Sequence, residues 1–267
     1  MGTDRKPTLW HIPISHYSEK VRWALEQKGV EHDRRAPPPP SHMAVALALT
    51  RGRAKTFPVL GLDGEQIGDS TAIIAALERR FPDPALYPAA ETERRRALEL
   101  EDWFDEQLGP HLRLLTWHEV TRDEAALEKL AVQQLPAPLK RFRTLAARGA
   151  SSFVNLRYGV ESAEAADAAR AKVREALDRL EEELGESDYL VGDRFSVADL
   201  TAAALFYPLV LPPEGPQLLG EPPEALERFR APLKGRRGYK WVEEMFRRHR
   251  RSSASDDGQE THGATAE

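Results

Sequence analysis

The 267-residue sequence predicts two domains of different class, an α/β domain followed by an all-helical one. Short β-type runs alternate with amphipathic helices in the first third of the chain, in the order βαβαββα. The proline-rich stretch Pro82–Pro88 interrupts this alternation, and helical periodicity dominates beyond it. We therefore expect an α/β domain at residues 1–84, a linker at 85–90, an all-helical bundle at 91–250 and a disordered tail at 251–267.

Each element of the first domain has a local signal. The helix that follows the first strand stops at Lys28-Gly29, because glycine readily ends a helix. Asp63-Gly64 between two apolar runs is the strongest short signal for a hairpin. Gly68-Asp69-Ser70 precedes an amphipathic helix that stops at Pro82. The predicted strands are 8–12, 30–35, 56–62 and 65–67, and the other predicted helices of this domain are 18–27 and 43–49.

The second domain has the pattern of a series of helices. The segment Ser196–Asp199 resembles a capping box and opens an almost wholly apolar helix to Tyr207, which we expect to form the domain core. Replacing Asp199 by alanine is expected to cost about 1 kcal/mol through the lost cap. The remaining predicted helices are 91–115, 123–135, 139–148, 163–184 and 241–250.

Composition excludes several classes of function. The net charge is −5 with acidic and basic residues mixed along the chain, so no nucleic-acid partner is expected. No apolar run is long enough to span a bilayer and no leader pattern is present, so we expect a cytoplasmic protein without a membrane partner. The chain has no cysteine, which excludes disulfides and a cysteine nucleophile, and no metal site is predicted. Any sulfur chemistry must therefore use a thiol from another molecule.

The turn between the first strand and the first helix is a candidate anion site. Ser15 or Ser18 occupies the N-cap position ahead of the helix, where hydroxyls and unpaired backbone N–H groups gather at the positive end of the helix dipole. A plain N-cap has the same sequence pattern, so this turn alone leaves both readings open.

Four motifs together resemble the cytosolic glutathione transferase family. They are Ser15 in the first βα turn, Phe57-Pro58 at the third strand, Asp69-Ser70 before the next helix, and Ser196–Asp199 in the apolar helix. The resemblance spans residues 8 to about 250. It implies a thioredoxin-like N-terminal domain that holds glutathione as co-substrate and a helical domain that supplies the pocket for a small hydrophobic electrophile. It also implies a homodimer and a role in detoxification.

The resemblance assigns the activating hydroxyl to Ser15, which would donate a hydrogen bond to the glutathione sulfur as in the serine-type classes. A free thiol titrates near pH ~8.5, and a helix N-terminus or a hydrogen bond lowers that value to roughly 7 or below. Ser18 and then Tyr17 are the rival candidates for this role. His16 departs from the proline or small residue often found at its position in the family.

The resemblance also assigns the residues that would bind the backbone and the two ends of glutathione, a tripeptide. Pro58 would be the family's cis-proline and would turn the backbone of Phe57 toward the ligand, although an edge-strand proline in trans has the same sequence. Asp69 and Ser70 would receive the γ-glutamyl group, although an ordinary aspartate N-cap looks identical. Lys55, with Arg53 nearby, is the candidate cation for the glycyl carboxylate.

The reaction itself stays open at this point. The leading expectation is attack of the thiolate on an electrophilic carbon. A glutathione-dependent isomerase, lyase or peroxidase is an alternative, as is a non-catalytic module of the same fold that binds a ligand or a protein. We expect the helix that carries Trp103, Phe104, His111 and Leu114 to border the second-substrate pocket, together with the segment Phe153–Tyr158.

Overall fold

A computed structural model describes residues 6–38, 41–134, 162–217 and 221–250, together with individual residues between 141 and 160. The predicted disordered tail, 251–267, lies outside these described residues, as does most of the predicted helix 139–148.

The α/β domain has the predicted element order βαβαββα. Its strands are β1 (Thr8–Trp10), β2 (Asp33–Arg35), β3 (Val59–Leu62) and β4 (Glu65–Gly68), and its helices are α1 (His16–Gln27), α2 (His42–Leu49) and α3 (Ser70–Arg80). The four strands form one mixed sheet in the order β2-β1-β3-β4, in which β1 is parallel to β2 and antiparallel to β3. The predicted strand and helix types are confirmed. Strands β1, β2 and β3 are each shorter than predicted at one end, and β4 is one residue longer.

The two faces of the sheet belong to different clusters. Leu9 and Leu60 pair across β1 and β3, and both are fully buried against α1 and α3. The next pair along the strands, Trp10 and Val59, points to the opposite face and packs with residues of α2. This alternation is the period-two pattern of a strand covered on both sides.

The hairpin between β3 and β4 has the predicted tight turn. Asp63 and Gly64 have φ angles of 49° and 87°, so both lie in the left-handed region that a type I′ turn requires. The turn aligns Leu60 with Ile67 across the two strands and brings the end of β4 to the start of α3.

The helical domain consists of seven described α-helices. They are α4 (Glu91–Gln107), α5 (Gly109–Arg122), α6 (Glu124–Gln134), α7 (Ala163–Leu184), α8 (Val197–Val210), α9 (Glu224–Arg230) and α10 (Arg237–His249). Every residue of α8 is buried, and the capping box of Ser196 and Asp199 is formed as predicted. Helix α8 packs against α1 as well as α4, α5 and α10, so it lies in the core that joins the two domains.

The prediction of one long helix over residues 91–115 is wrong. The chain forms α4 and α5 instead, and the two helices are separated at Leu108. Pro110 explains the break, since its ring clashes with the preceding turn of a continuous helix and it is favoured in the first turn of a new one. The last helix begins at Arg237, four residues earlier than predicted. In the described part of the chain, no helix combines the length and the apolar character that crossing a membrane requires.

Candidate functional site

A cleft of about 1310 Å³ opens between the two domains. Its α/β-domain wall combines the β1–α1 turn, the segment before β3 and the start of α3, and its other wall comes mainly from α4 and α5. Seven of the eight residues singled out from the sequence line this cleft: Ser15, Tyr17, Lys55, Phe57, Pro58, Asp69 and Ser70. The fold thus brings together residues that lie more than fifty positions apart in the sequence.

Ser15 is the N-cap of α1. Its backbone is extended, with φ −76° and ψ 125°, and its Oγ accepts a hydrogen bond from the N–H of Ser18 at 3.3 Å. The N–H of Ser15 itself donates to the carbonyl of Ile12 at 3.0 Å, which closes the turn. Ser15 therefore sits at the positive end of α1 with its oxygen used as an acceptor, while the hydroxyl hydrogen can rotate to donate into the cleft.

The two rival hydroxyls have other partners. Ser18 is fully buried and does not line the cleft, and its Oγ accepts the N–H of Ile12 at 3.2 Å. Tyr17 lines the cleft, but its hydroxyl donates to the carbonyl of Asp105 at 2.8 Å. Burial raises the pKa of Tyr17 well above its usual range, and the nearby Asp105 carboxylate adds to the effect. The Tyr17 phenol therefore stays protonated, with its proton directed at a backbone oxygen.

The peptide bond between Phe57 and Pro58 is cis. Phe57 is buried and packs edge-on against His42, whereas Lys55, two residues earlier, is exposed at the cleft. Arg53 donates to the backbone carbonyls of Thr50 and Gln66, so its guanidinium stabilises the loop before β3. Lys55 is thus better placed than Arg53 to offer a cation to a ligand.

Asp69 and Ser70 open α3 at the edge of the cleft. Asp69 is exposed, and its Oδ1 accepts the N–H of Ala72 at 3.0 Å, so it caps the helix. Its φ of 75° lies in the left-handed region, which costs a residue with a side chain about 1–3 kcal/mol. Ser70 is almost fully buried beside it. A carboxylate, a hydroxyl and the N-terminus of a helix therefore converge on one end of the cleft, where they can bind both charges of an amino acid group.

Comparison with protein families matches both domains. Residues 9–85 match the family model "Glutathione S-transferase, N-terminal domain", and residues 146–248 match "Glutathione S-transferase, C-terminal domain". The chain belongs to the glutathione S-transferase family. The predicted resemblance and the predicted fold, a thioredoxin-like domain followed by a helical one, are thereby confirmed.

Several solved structures share this transferase fold. The β-etherase LigF of Sphingobium sp. strain SYK-6 is 22% identical over 90% of this chain and 99% of its own, with a TM-score of 0.56. A glutathione S-transferase of Methylobacterium radiotolerans, in complex with glutathione sulfonate, is 21% identical over 98% of this chain and 99% of its own, also with a TM-score of 0.56. FzlA of C. crescentus is 23% identical over 89% of this chain and 92% of its own, with a TM-score of 0.55.

The helical wall of the cleft is formed by α4 and α5, which replace the single predicted helix that carries Trp103, Phe104, His111 and Leu114. The prediction that this part of the chain borders the cleft is confirmed, but the side chains that line it are different ones. Trp103, Phe104, His111 and Leu114 do not line the cleft, and Phe104 is fully buried in the core. The lining residues of α4 and α5 are Asp102, Asp105, Glu106, Arg113, Thr116 and Trp117. They recur at intervals of three and four residues, so they lie on one side of each helix. In the sequence, such a mostly polar side looks the same as one that faces solvent.

A buried lysine ties the domains of the transferase together beneath the cleft. The Nζ of Lys20 lies 2.8 Å from an oxygen of Glu101 and 2.6 Å from one of Asp105, and it donates to the hydroxyl of Thr71 at 3.2 Å. Burial acts to lower the pKa of Lys20, but Asp105 and Glu101 outweigh it and raise the value above its usual range. Lys20 is therefore charged, and it joins α1 and α3 to α4.

His16 follows Ser15 and lines the same cleft. Burial, assisted by the positive charge of Arg113, lowers its pKa to about 3. The imidazole is therefore neutral at physiological pH. Its ring packs at a tilt of 39° against that of Tyr17, with 4.6 Å between the ring centres, and so helps to hold the Tyr17 ring against α4.

Proposed function

We propose that this chain catalyses attack of the glutathione thiolate on a small hydrophobic electrophile, with the Ser15 hydroxyl as the hydrogen-bond donor to the sulfur. The observation that carries the proposal is the convergence of Ser15, cis-Pro58 and Asp69-Ser70 on one cleft. These three features recognise different parts of a γ-glutamyl tripeptide. Within the described residues, these three features occur together at this cleft alone.

Ser15 is the best donor because of how its neighbours are used. Its Oγ already accepts from the N–H of Ser18, so the hydroxyl hydrogen is available for an anion at the positive end of α1. The Tyr17 hydroxyl donates its hydrogen to the backbone carbonyl of Asp105. The His16 imidazole is neutral. A hydrogen bond to the sulfur stabilises the charged form of the thiol, lowers its pKa and raises the fraction of nucleophile at neutral pH.

The remaining contacts follow from the geometry of the α/β wall. The ligand backbone would pair with the backbone of Phe57 as an added strand does. The γ-glutamyl carboxylate would bind at Ser70 and the start of α3, and its ammonium would face the Asp69 oxygen that does not cap the helix. Lys55 would meet the glycyl carboxylate.

The second substrate would occupy the part of the cleft next to the helical domain. Apolar side chains line that region, namely Ile12, Ile14, Trp117, Leu127 and Leu130. A hydrophobic electrophile that is held there would present its carbon to the sulfur at Ser15. A new sulfur–carbon bond then forms, either with departure of a leaving group or by addition.

The test compares Ser15→Ala with Tyr17→Phe, since each removes one cleft hydroxyl. Conjugation of a generic aryl electrophile is followed by absorbance over a range of pH. We expect kcat/KM to fall about 10²-fold in Ser15→Ala, of the order seen when a single oriented donor to a developing charge is lost, and to change less than threefold in Tyr17→Phe. Equal rates in wild type and Ser15→Ala would remove Ser15 from the mechanism.

A calorimetric titration of the wild-type protein with glutathione separates an enzyme from a binding module. Absence of glutathione binding, together with binding of a hydrophobic dye, would favour the non-catalytic alternative. We also propose a homodimer, and a monomeric mass at micromolar concentration would contradict it.

A further inference from the structure

The last described helix, α10, ends beside the first described helix, α1. Arg250 follows α10, and its side chain is 1% exposed. Its Nε donates to Oε1 of Glu19 at 2.8 Å, and its Nη1 pairs with Glu26, about two turns further along α1. Trp23 supports the same docking, since its indole N–H donates to the carbonyl of His249 at 2.8 Å. A residue from the far end of the chain is thus fixed on the helix that presents Ser15.

Glu19 also forms an ion pair with a second arginine, Arg22. Its other oxygen, Oε2, accepts from the Nε of Arg22 at 2.7 Å, and the Glu19 side chain has no exposed surface. Burial acts to raise the pKa of Glu19, but Arg250 and Arg22 outweigh it and hold the value below its usual range. The carboxylate is therefore ionised and bridges two guanidinium groups, which fixes the orientation of both.

Arg22 also contacts the β1–α1 turn, which carries Ser15. Its Nη2 donates to the carbonyl of Pro13 at 3.0 Å, and its Nη1 lies 2.8 Å from Nδ1 of His11. Further along the same turn, the N–H of Ser15 donates to the carbonyl of Ile12. The contacts therefore run from Arg250 through Glu19 and Arg22 to His11 and to the carbonyl of Pro13, two residues before Ser15.

We propose that Arg250 is a positioning residue for Ser15, acting through Glu19 and Arg22 on the β1–α1 turn. Without Arg250, Glu19 keeps one guanidinium partner in place of two, and Arg22 can rotate with it away from the Pro13 carbonyl. The turn then loses a fixed backbone contact, and the Ser15 hydroxyl samples more orientations. The catalytic part of this inference rests on the proposed function, whereas the structural part does not.

The structural part is tested by amide hydrogen exchange on Arg250→Gln. Arg247→Gln is the matched control, because Arg247 lies in the last turn of α10, is itself exposed and pairs with Glu244 on the same helix. We expect the amides of residues 12–18 to exchange about tenfold faster in Arg250→Gln than in the control, with α8 unchanged in both. Arg250→Lys, which keeps the charge but not the fork of donors, should fall between them.

The proposal is overturned if the turn exchanges equally in Arg250→Gln and the control, or if all helices of Arg250→Gln exchange faster to the same extent. Should Arg250→Gln not fold, the double variant Glu19→Gln/Arg250→Gln removes both charges together and is tested in the same way. Because this measurement needs no ligand, it decides the structural part even if the wild type binds no glutathione.

The catalytic part is tested by the pKa of the bound glutathione thiol, followed by the ultraviolet absorbance of the thiolate. We expect Arg250→Gln to raise that pKa by about one unit and to lower kcat about tenfold at neutral pH, with Arg247→Gln like the wild type. A lower stability alone does not move the thiol pKa. An unchanged thiol pKa in a variant whose turn has become mobile would refute the link to catalysis.

Discussion

Replacement of Asp199 by alanine is the sharpest test of how the core is built. The carboxylate is fully buried and accepts three hydrogen bonds, from the N–H of Leu190 at 2.7 Å and from the N–H and hydroxyl of Ser196 at 2.9 and 2.8 Å. The variant leaves two buried backbone N–H groups without acceptors, at about 1–3 kcal/mol each. Relief from burying a charge offsets part of this cost, so we expect about 2–3 kcal/mol at pH 7, above the 1 kcal/mol of a simple cap.

The pH dependence of that cost has a definite sign. Burial raises the pKa of Asp199 to about 6, from an ordinary value of 3.8. Because the folded protein binds this proton more tightly than the unfolded chain, the stabilisation is fully present below about pH 4 and is lost as the pH rises through about 6. At pH 5 the wild type therefore gains about 1.4 kcal/mol that Asp199→Ala lacks, and the difference between the two proteins widens.

Urea unfolding followed by tryptophan fluorescence measures this difference at pH 5 and pH 7. Ser162→Ala is the matched control, because Ser162 caps α7 through a single bond to the N–H of Ala165 at 3.1 Å. It should cost about 1 kcal/mol at both pH values. If the cost of Asp199→Ala is the same at pH 5 as at pH 7, or smaller, the assignment of a raised pKa to this carboxyl is refuted.

Two further predictions concern Gly109, beside the cleft, and Lys20, in the buried ion pairs beneath it. In Gly109→Ala the new Cβ would overlap the Tyr17 hydroxyl oxygen, so the ring must move. We expect a loss of about 1–3 kcal/mol and a raised KM for the second substrate, with little effect in Gly235→Ala, whose Cβ meets no atom within 4 Å. Lys20→Met leaves the carboxylates of Glu101 and Asp105 next to each other without their shared cation. Thermal unfolding should show that the free energy of unfolding falls by about 3–5 kcal/mol. A loss below 1 kcal/mol would mean that Lys20 does not hold the domains together.

Local signals predicted the α/β domain well. The glycine after α1, the Asp63-Gly64 turn and the cap at Asp69 each act within a few residues, so their patterns are complete in the sequence. The same holds for Ser196 and its capping box. The break between α4 and α5 was missed although Pro110 marks it, because the apolar periodicity continues through the proline.

The helical wall of the cleft could not be predicted in the same way. Amphipathic periodicity shows which side of a helix is apolar, but it does not separate a polar side that faces solvent from one that faces a cleft. Arg113 and Asp105 lie on such polar sides and line the cleft. The partner of a buried charge is equally hidden, since Lys20 meets Asp105 from 85 positions away and Arg250 meets Glu19 from 231.

Helix α1 shows why these hidden contacts matter for the proposed thiolate site. Glu19, Lys20 and Arg22 look like the solvated face of a surface helix, yet all three are buried. Lys20 contacts α4 and Glu19 contacts Arg250, so both long-range ion pairs end on the helix whose N-cap is Ser15. A buried charge that keeps its position must have its partners in fixed places. In the proposed function, the orientation of the Ser15 hydroxyl therefore depends on the docked domains and not on the α/β domain alone. An isolated domain 1–84 should then bind glutathione more weakly than the whole chain.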